Sequence, residues 1–189
     1  MLPVLEDEVF TYEHLFDSLE NEVLIQDFTV KNPSGSNLVA FLQVIAPHNE
    51  TSNADRTYLV KDKTTYELAG YFALRTGLFA IKNSNGEVIT IPSIELSNFA
   101  VNENYRKNHP ELQKVGETIF KHFILPLSKQ IQSLTGAQAL YIYALPEERL
   151  VNHYNSFGFV RLSEEDEQFV YESVKPTYDA ECVFMYQIL

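Results

Sequence analysis

The residues best placed to do chemistry lie between Ile91 and Lys121, where a predicted strand, Ser93–Val101, leads through a polar loop into a predicted helix. The first backbone N–H groups of a helix have no acceptor within it, and the helix dipole adds partial positive charge there. Gly116, in the first turn, allows a ligand to approach these amides closely. The stretch therefore predicts that the amides of Val115–Thr118 hold an anion such as a diphosphate.

Hydrophobic periodicity indicates the elements that precede this stretch. Asp55–Asp62 and Glu67–Leu74 are rich in aromatic and β-branched residues and predict an antiparallel hairpin. Gly70, inside the second strand, predicts a bulge or a close backbone approach. Leu38–Ala46 carries apolar residues at helical spacing, which predicts a helix that ends at Pro47.

The helix after the anion site predicts a crossover connection. Its apolar residues predict a helix from Leu112 to about Ser133, with a kink near Phe123 caused by Pro126. The apolar run Ala139–Ala144 predicts a strand buried on both faces and parallel to the strand before the helix. The remaining predicted elements are a helix, Glu147–Ser156, and three closing strands, Phe159–Leu162, Phe169–Val174 and Cys182–Leu189.

Composition limits the classes of partner. The chain has 189 residues, which predicts a single domain, and its 14 basic and 26 acidic residues give a net charge of -12. This balance predicts against a nucleic-acid partner and favours a cationic substrate, because nucleic-acid binding needs basic surface. The lone Cys182 and five scattered histidines indicate neither a disulfide nor a metal site. No apolar run approaches the ~18 residues that span a bilayer, so we expect a cytoplasmic protein without membrane contact.

Three short motifs occur in order along the chain. Leu68–Phe72 is an apolar strand containing Gly-Tyr, Gln113–Thr118 reads Gln-Lys-Val-Gly-Glu-Thr, and Tyr154–Phe159 reads Tyr-Asn-Ser-Phe-Gly-Phe. They resemble the "GY" strand, the diphosphate signature and the Tyr-x-x-x-Gly-Phe ending of the GNAT superfamily of acetyl-CoA-dependent N-acetyltransferases. In the signature, Thr118 stands where the family usually has Gly or Ala. The resemblance covers about residues 55–189, and residues 1–54 form an N-terminal helical and strand part.

The resemblance implies a fold and a reaction. The expected fold is α/β (α+β), a single-domain GNAT fold with a mixed, mostly antiparallel sheet, a parallel splayed strand pair and flanking helices. The expected reaction transfers an acetyl group from acetyl-CoA, as co-substrate, to a primary amine by direct attack in a ternary complex. The amine belongs to a small molecule or a peptide, no metal takes part, and the protein is a monomer or a homodimer.

The resemblance also implies which residues hold acetyl-CoA. The backbone of Phe99–Val101 is expected to pair with the pantetheine arm as an added strand. The residues expected to bind the cofactor are Phe99, Ala100, Val101, Gln113, Lys114, Val115, Gly116, Glu117 and Thr118. Alternatively, Gly116 is a glycine that the helix merely tolerates. Arg106, Lys107 and Lys114 either meet the 3′-phosphate of CoA or form an ordinary solvated patch.

Two departures from the family pattern concern CoA contacts. Asn102–Leu112 is longer than the family's usual loop. The adenine and ribose end of CoA is therefore expected to be held differently if this longer loop displaces the usual contacts. Glu147 and Glu148 occupy the neighbourhood where family members often carry an Asn that contacts CoA.

Two residues are expected to move protons. Tyr154 is the candidate general acid, because a phenol with a pKa near ~10 stays protonated at neutral pH and donates to a departing thiolate; alternatively it is a core aromatic. Glu95 lies six residues before Val101 on the same strand, the spacing of the general base in the histone-acetyltransferase branch of the family. There a carboxylate takes the ammonium proton through a water. The alternative for Glu95 is an exposed strand residue.

Two other functions stay open. Phe28–Leu74 resembles the N-terminal half of the GNAT toxins of toxin–antitoxin pairs, which acetylate aminoacyl-tRNA, although the acidic balance counts against an RNA partner. A GNAT-like module that binds CoA or a partner without chemistry is the third hypothesis, motivated by the imperfect signature and the missing Asn. The identity of the amine depends on loop shapes that the sequence does not specify.

Overall fold

A computed structural model describes residues 7–173 and 182–189 of the chain. The strands in these ranges are β1 Phe10–His14, β2 Arg56–Asp62, β3 Leu68–Lys82, β4 Val88–Val101, β5 Ala139–Ala144, β6 Val160–Arg161 and β7 Val183–Ile188. The α-helices are α1 Asn21–Leu24, α2 Ser36–Ala40, α3 Ala46–Ser52, α4 Glu103–Asn108, α5 Val115–Ile119, α6 Leu125–Thr135, α7 Glu148–Ser156 and α8 Glu164–Ser173. Two 3₁₀ turns, Ile25–Asp27 and Pro33–Gly35, and two π-helical turns, Phe41–Ile45 and Phe120–Ile124, lie between them.

The strands form one mixed sheet in the order β1-β2-β3-β4-β5-β7-β6. The pairs β1–β2, β2–β3, β5–β7 and β6–β7 are antiparallel. β4 and β5 are parallel, and their register joins Ser93 to Ala139, Ile94 to Leu140 and Glu95 to Tyr141. The predicted fold class, a mixed and mostly antiparallel sheet with a parallel pair and flanking helices, is confirmed.

Contacts divide the chain into two compact units, and β3 and β4 contribute residues to both. The first unit is Met1–Arg75 with Ser97–Leu127, and its core includes Phe28, Phe41 and Tyr71. The second is Thr76–Leu96 with Ser128–Leu189, and its core includes Phe79, Tyr141 and Phe184. Aromatic rings meet edge to face in both cores, as between Phe28 and Tyr71 at 5.2 Å and between Phe79 and Phe184 at 5.1 Å.

The predicted hairpin is confirmed as β2 and β3. The register shifts between Val60 and Lys61, opposite Gly70, so a bulge lies where the glycine predicts one. A Cβ on Gly70 would lie 2.8 Å from the carbonyl oxygen of Ala100 and 2.8 Å from Ile119 Cδ1. The glycine therefore lets β3 pass close to the end of β4 and to α5.

Two prolines, Pro47 and Pro126, lie within helices that continue past them. The prediction that Pro47 ends a helix is wrong, because α3 continues through it to Ser52. Each of Pro47 and Pro126 lies two residues after a π-helical turn, Phe41–Ile45 or Phe120–Ile124. Proline lacks an N–H and collides with the carbonyl four residues earlier, and a wider turn just before it accommodates both defects. The second π turn spans the predicted kink position.

The predicted strand Phe169–Val174 is wrong, because Phe169 lies in α8, while Val174 is outside the described residues. Ser163 begins this helix by accepting a hydrogen bond from the amide of Asp166 at 3.2 Å. Acidic side chains fill the first turn and are stabilised by the helix dipole. This N-terminal signal outweighs the aromatic and β-branched composition on which the strand prediction rests. Every helix in the described part of the chain is too short or too polar to cross a membrane.

Candidate active site

The start of α5 presents open backbone amides. Lys114, the N-cap, has left-handed backbone angles of φ 59° and ψ 29°, which turn the chain sharply into the helix. The amide of Thr118 donates to the carbonyl of Lys114 at 3.0 Å and makes the first helical hydrogen bond. Within residues 7–173 and 182–189, the amides of Val115, Gly116 and Glu117 donate to no acceptor. Three of the four predicted amides are therefore available to an anion, and that of Thr118 is used by the helix.

Gly116 brings the helix start against the end of β4. A Cβ on Gly116 would lie 3.3 Å from Val101 Cγ2 and 3.7 Å from Phe99 Cζ. The side chain of Ala100 points to the other face and joins the core around Tyr71. The absence of a side chain therefore allows the helix to pack closely against the strand. Gly116 thus has a packing role, in contrast to the alternative that the helix merely tolerates it. Phe99, Val101 and Gly116 therefore lie close together, and their role in binding a cofactor stays a prediction.

Charged side chains surround the open amides. Glu117 accepts a hydrogen bond from Lys121 at 2.6 Å and pairs with Lys114 at 3.2 Å. Lys121 first, and then Lys114, hold the pKa of Glu117 below its ordinary value. Gln113 and Lys114 are exposed. Two cations therefore flank one carboxylate at the helix end itself, while Asp7 and Glu8 add negative charge to the lining of the adjoining cavity.

A cavity of about 690 Å³ adjoins the helix start. Its lining includes Gln113, Val115 and Thr118, together with Lys63 and the segment that precedes β1. A cavity of this size holds a small molecule or a nucleotide. Sequence reasoning predicted Gln113, Val115 and Thr118 as site residues but missed Lys63 and the segment before β1, because these lie far earlier in the chain and share no motif with them.

The long predicted loop before α5 is partly helical. Asn102 caps α4 by accepting from the amide of Asn104 at 3.2 Å, and its side-chain nitrogen donates to the carbonyl of Leu68 at 2.8 Å. Tyr105 donates to Asp62 at 2.6 Å. These hydrogen bonds fix the segment between β4 and α5 to the β2–β3 hairpin, so its extra length is folded structure. Its contacts with CoA stay a prediction.

Glu95 is a buried carboxylate at the end of the parallel pairing. Glu95 lies in β4 and is only 4% exposed, which excludes the alternative that it is a strand residue facing solvent. The hydroxyl of Tyr141 donates to Glu95 Oε2 at 2.8 Å, and the two residues are register partners. Sequence reasoning missed Tyr141, although a hydroxyl-bearing residue in the apolar run Ala139–Ala144 was the available signal. Whether Glu95 is a base stays a prediction.

Tyr154 is a packed aromatic whose hydroxyl is unused by the described protein. It is 9% exposed on α7, and its ring meets Phe157 and Phe159 edge to face at 6.3 and 5.6 Å. Burial raises its pKa to about 12. No residue of 7–173 or 182–189 hydrogen-bonds the hydroxyl. The phenol is therefore protonated at neutral pH and able to donate to a ligand.

The Tyr-x-x-x-Gly-Phe motif has a local structural role as well. Gly158 has a φ of +93°, a left-handed conformation that glycine adopts without strain, and it follows the end of α7. The amides of Phe157 and Phe159 both donate to the carbonyl of Tyr154, at 2.9 and 3.2 Å. The motif thus ends the helix in a defined turn. The described residues hold no group of three His, Cys, Asp or Glu suited to an ion.

Comparison with known proteins identifies the fold. No family model and no curated protein matches the sequence. The structure of a Tyr-to-Phe mutant of the toxin AtaT, bound to the C-terminus of the antitoxin AtaR and acetyl-CoA, matches with a TM-score of 0.68 at 20% identity, covering 96% of this chain and 94% of that chain. A Tyr-to-Phe mutant of KacT matches with a TM-score of 0.69 at 17% identity, covering 96% and 95%. Both proteins are GNAT acetyltransferases. The chain has the GNAT fold.

The prediction against a nucleic-acid partner is wrong, because several structures with this fold contain DNA or tRNA. AtaT complexed with acetyl-methionyl-tRNAfMet matches with a TM-score of 0.62 at 19% identity, covering 93% of each chain. Other matching structures are an AtaT–AtaR complex bound to DNA and a KacTA–DNA complex. The net charge of the whole chain does not report the charge of the particular surface that meets a partner. Burial of five of the 26 acidic residues, Glu50, Asp55, Asp62, Glu95 and Glu167, still leaves 21 acidic residues against 14 basic ones, so burial does not remove the acidic excess.

Proposed function

We propose that the chain transfers the acetyl group of acetyl-CoA to the primary amine of an aminoacyl-tRNA, as a toxin of the AtaT and KacT type. The observation that carries the proposal is the set of three open amides at Val115–Glu117, packed against the end of β4, in a chain with the GNAT fold. An AtaT structure contains acetyl-CoA, and another contains acetyl-methionyl-tRNAfMet, which supports both the donor and the acceptor.

The chain's residues bind the donor by main-chain and side-chain groups. The amides of Val115, Gly116 and Glu117 donate to the diphosphate, and Lys114 and Lys121 add positive charge beside it. The backbone of Phe99–Val101 pairs with the pantetheine arm in the proposed complex. The main-chain amides and the strand backbone remain when a side chain is replaced. We therefore expect a single substitution near the diphosphate to weaken acetyl-CoA binding only in part.

Two side chains then move protons. The amine nitrogen attacks the thioester carbonyl carbon, a C–N bond forms, and the C–S bond of the tetrahedral intermediate breaks. Glu95 accepts the proton that the amine loses, through a water, and Tyr154 donates a proton to the departing thiolate. Burial raises the pKa of Tyr154 to about 12, so the phenol keeps its proton at neutral pH. One N–H proton is lost and one S–H is gained, so the reaction is balanced.

The proposal is tested by mixing the purified chain with radiolabelled acetyl-CoA and a pool of aminoacylated tRNA. We expect label in acid-precipitated RNA, and none with uncharged tRNA, which has no primary amine of this kind. A peptide and the polyamine spermidine serve as competing acceptors. Label confined to either of these would retain acetyl transfer and overturn the RNA acceptor. Acetyl-CoA binding by calorimetry without transfer to any acceptor would identify the non-catalytic alternative.

A further inference from the structure

A buried tyrosine–carboxylate pair lies where the parallel pairing of β4 and β5 ends. Glu95 and Tyr141 are the last of the three register partners, and they are 4% and 2% exposed. Tyr141 Oη donates to Glu95 Oε2 at 2.8 Å. A buried polar group needs a hydrogen-bond partner, and Tyr141 supplies one to an oxygen of the carboxylate.

The position of the Tyr141 ring depends on a glycine in β3. A Cβ on Gly77 would lie 2.3 Å from Tyr141 Oη and 2.7 Å from its Cε1. Only a residue without a side chain leaves this space for the ring, and Gly77 is not among the residues with positive φ, so its backbone does not require glycine. Phe79 and Phe184 contact the same ring, with centroids 5.9 and 5.4 Å away. The hydroxyl is thus held in place by three neighbours.

We propose that Tyr141 positions the Glu95 carboxylate as the proton acceptor of the acetyl transfer, an inference that rests on the proposed function. The hydrogen bond from Tyr141 Oη to Glu95 Oε2 fixes the orientation of the carboxylate, and its loss leaves the carboxylate freer to rotate away from the productive geometry. Tyr141 acts through Glu95 and is a positioning residue. Gly77 makes the arrangement possible.

The test is a double-mutant cycle on acetyl transfer to aminoacylated tRNA, with Tyr141→Phe, Glu95→Gln and the double variant. We expect each single variant to lower kcat at least ~10-fold while KM for acetyl-CoA changes less than ~2-fold. In the Glu95→Gln background, Tyr141→Phe is expected to change kcat by less than ~2-fold, because its effect passes through the missing carboxylate. Tyr143→Phe, on the same strand, is the matched control and is expected to retain the unmodified kcat.

Gly77→Ala provides a second route that keeps the hydroxyl and displaces the ring. We expect it to lower kcat like Tyr141→Phe and to add nothing to Glu95→Gln. Multiplicative losses in the double variant, or an unmodified kcat in Tyr141→Phe, would overturn the inference and leave acetyl transfer by the unmodified chain intact. Absence of transfer by the unmodified chain would instead overturn the proposed function, and this inference with it.

Discussion

Replacing Tyr154 by Phe separates a catalytic hydroxyl from a packed ring. The ring meets Phe157 and Phe159 edge to face, and these contacts survive the change. The hydroxyl has no hydrogen-bond partner among residues 7–173 and 182–189. Removing it therefore breaks no bond within the described fold, and we expect the free energy of unfolding to change by less than ~0.5 kcal/mol. For a chain of this size that is a shift in Tm of at most about 2 °C.

The effect on the reaction is expected to be much larger. General acid catalysis contributes about 10²–10⁴-fold to a rate, so the loss of the donor raises the activation free energy by roughly 3–5 kcal/mol. The donor acts on the departing thiolate, which exists only as the C–S bond breaks. We therefore expect kcat to fall by this factor while KM for acetyl-CoA stays within ~2-fold.

Tyr71→Phe is the matched control, because it makes the same chemical change at a hydroxyl that the fold uses. Tyr71 Oη donates to the carbonyl of Leu38 at 2.7 Å in the first unit's core. The carbonyl of Leu38 still accepts from the amide of Phe41, so removing the hydroxyl loses one hydrogen bond, which costs roughly 0.5–1.5 kcal/mol and lowers Tm by about 2–4 °C. We expect this variant to retain kcat. Tyr154→Phe is therefore expected to lower kcat and leave Tm nearly unchanged, whereas Tyr71→Phe is expected to lower Tm and leave kcat unchanged.

The assay measures steady-state acetyl transfer to aminoacylated tRNA and thermal unfolding on the same preparations. The reasoning is refuted if Tyr154→Phe transfers acetyl at the unmodified rate, which would make Tyr154 a core aromatic. A loss of activity that accompanies a drop in Tm of several degrees would equally assign it to the core.

The remaining predictions concern packing and pH. Burial raises the pKa of Tyr154 to about 12, so its contribution to stability is complete below pH ~10 and is lost as pH rises through about 12. In urea titrations, the unmodified chain should lose stability relative to Tyr154→Phe only above pH ~10; a difference that grows at neutral pH would contradict this. Gly116→Ala places a Cβ 3.3 Å from Val101 Cγ2 but gains helix propensity, so urea denaturation should show a change within ~1 kcal/mol, whereas Gly116→Val should cost roughly 1–3 kcal/mol. Equal costs for both would refute the packing argument. A hydrogen bond to Glu67 raises the pKa of His109, so that pair's stabilisation is complete below pH ~6.5 and is lost as pH rises through the raised value. The Tm deficit of His109→Gln should be larger near pH ~6 than near ~8.5, and a deficit independent of pH would count against it.

Local signals in the sequence predicted the parts of the site that are built locally. Gly158, with its left-handed φ, ends a helix turn built from residues only a few positions away, so a short motif identifies it. The apolar run Ala139–Ala144 is confirmed as β5, residue for residue, because a strand buried on both faces has little sequence ambiguity.

Other features depend on residues that meet only in the folded chain. Tyr141 and Gly77 are 64 positions apart, and the need for glycine follows from the ring position alone. Pro47 lies within a continuing helix because a π turn precedes it, and no periodicity signals a π turn. Net charge failed as a guide to partners because it sums the charge of the whole chain, whereas a partner meets one surface of it.

The central claim is that three main-chain amides at the start of α5 bind the diphosphate of acetyl-CoA. A titration of ¹⁵N-labelled protein with acetyl-CoA, followed by amide NMR, tests it directly. We predict saturable shifts that are largest for Val115, Gly116 and Glu117, and smaller for Thr118, whose amide already donates to the carbonyl of Lys114. Binding heat measured by calorimetry without shifts at these three amides would contradict the account, and so would the absence of any binding.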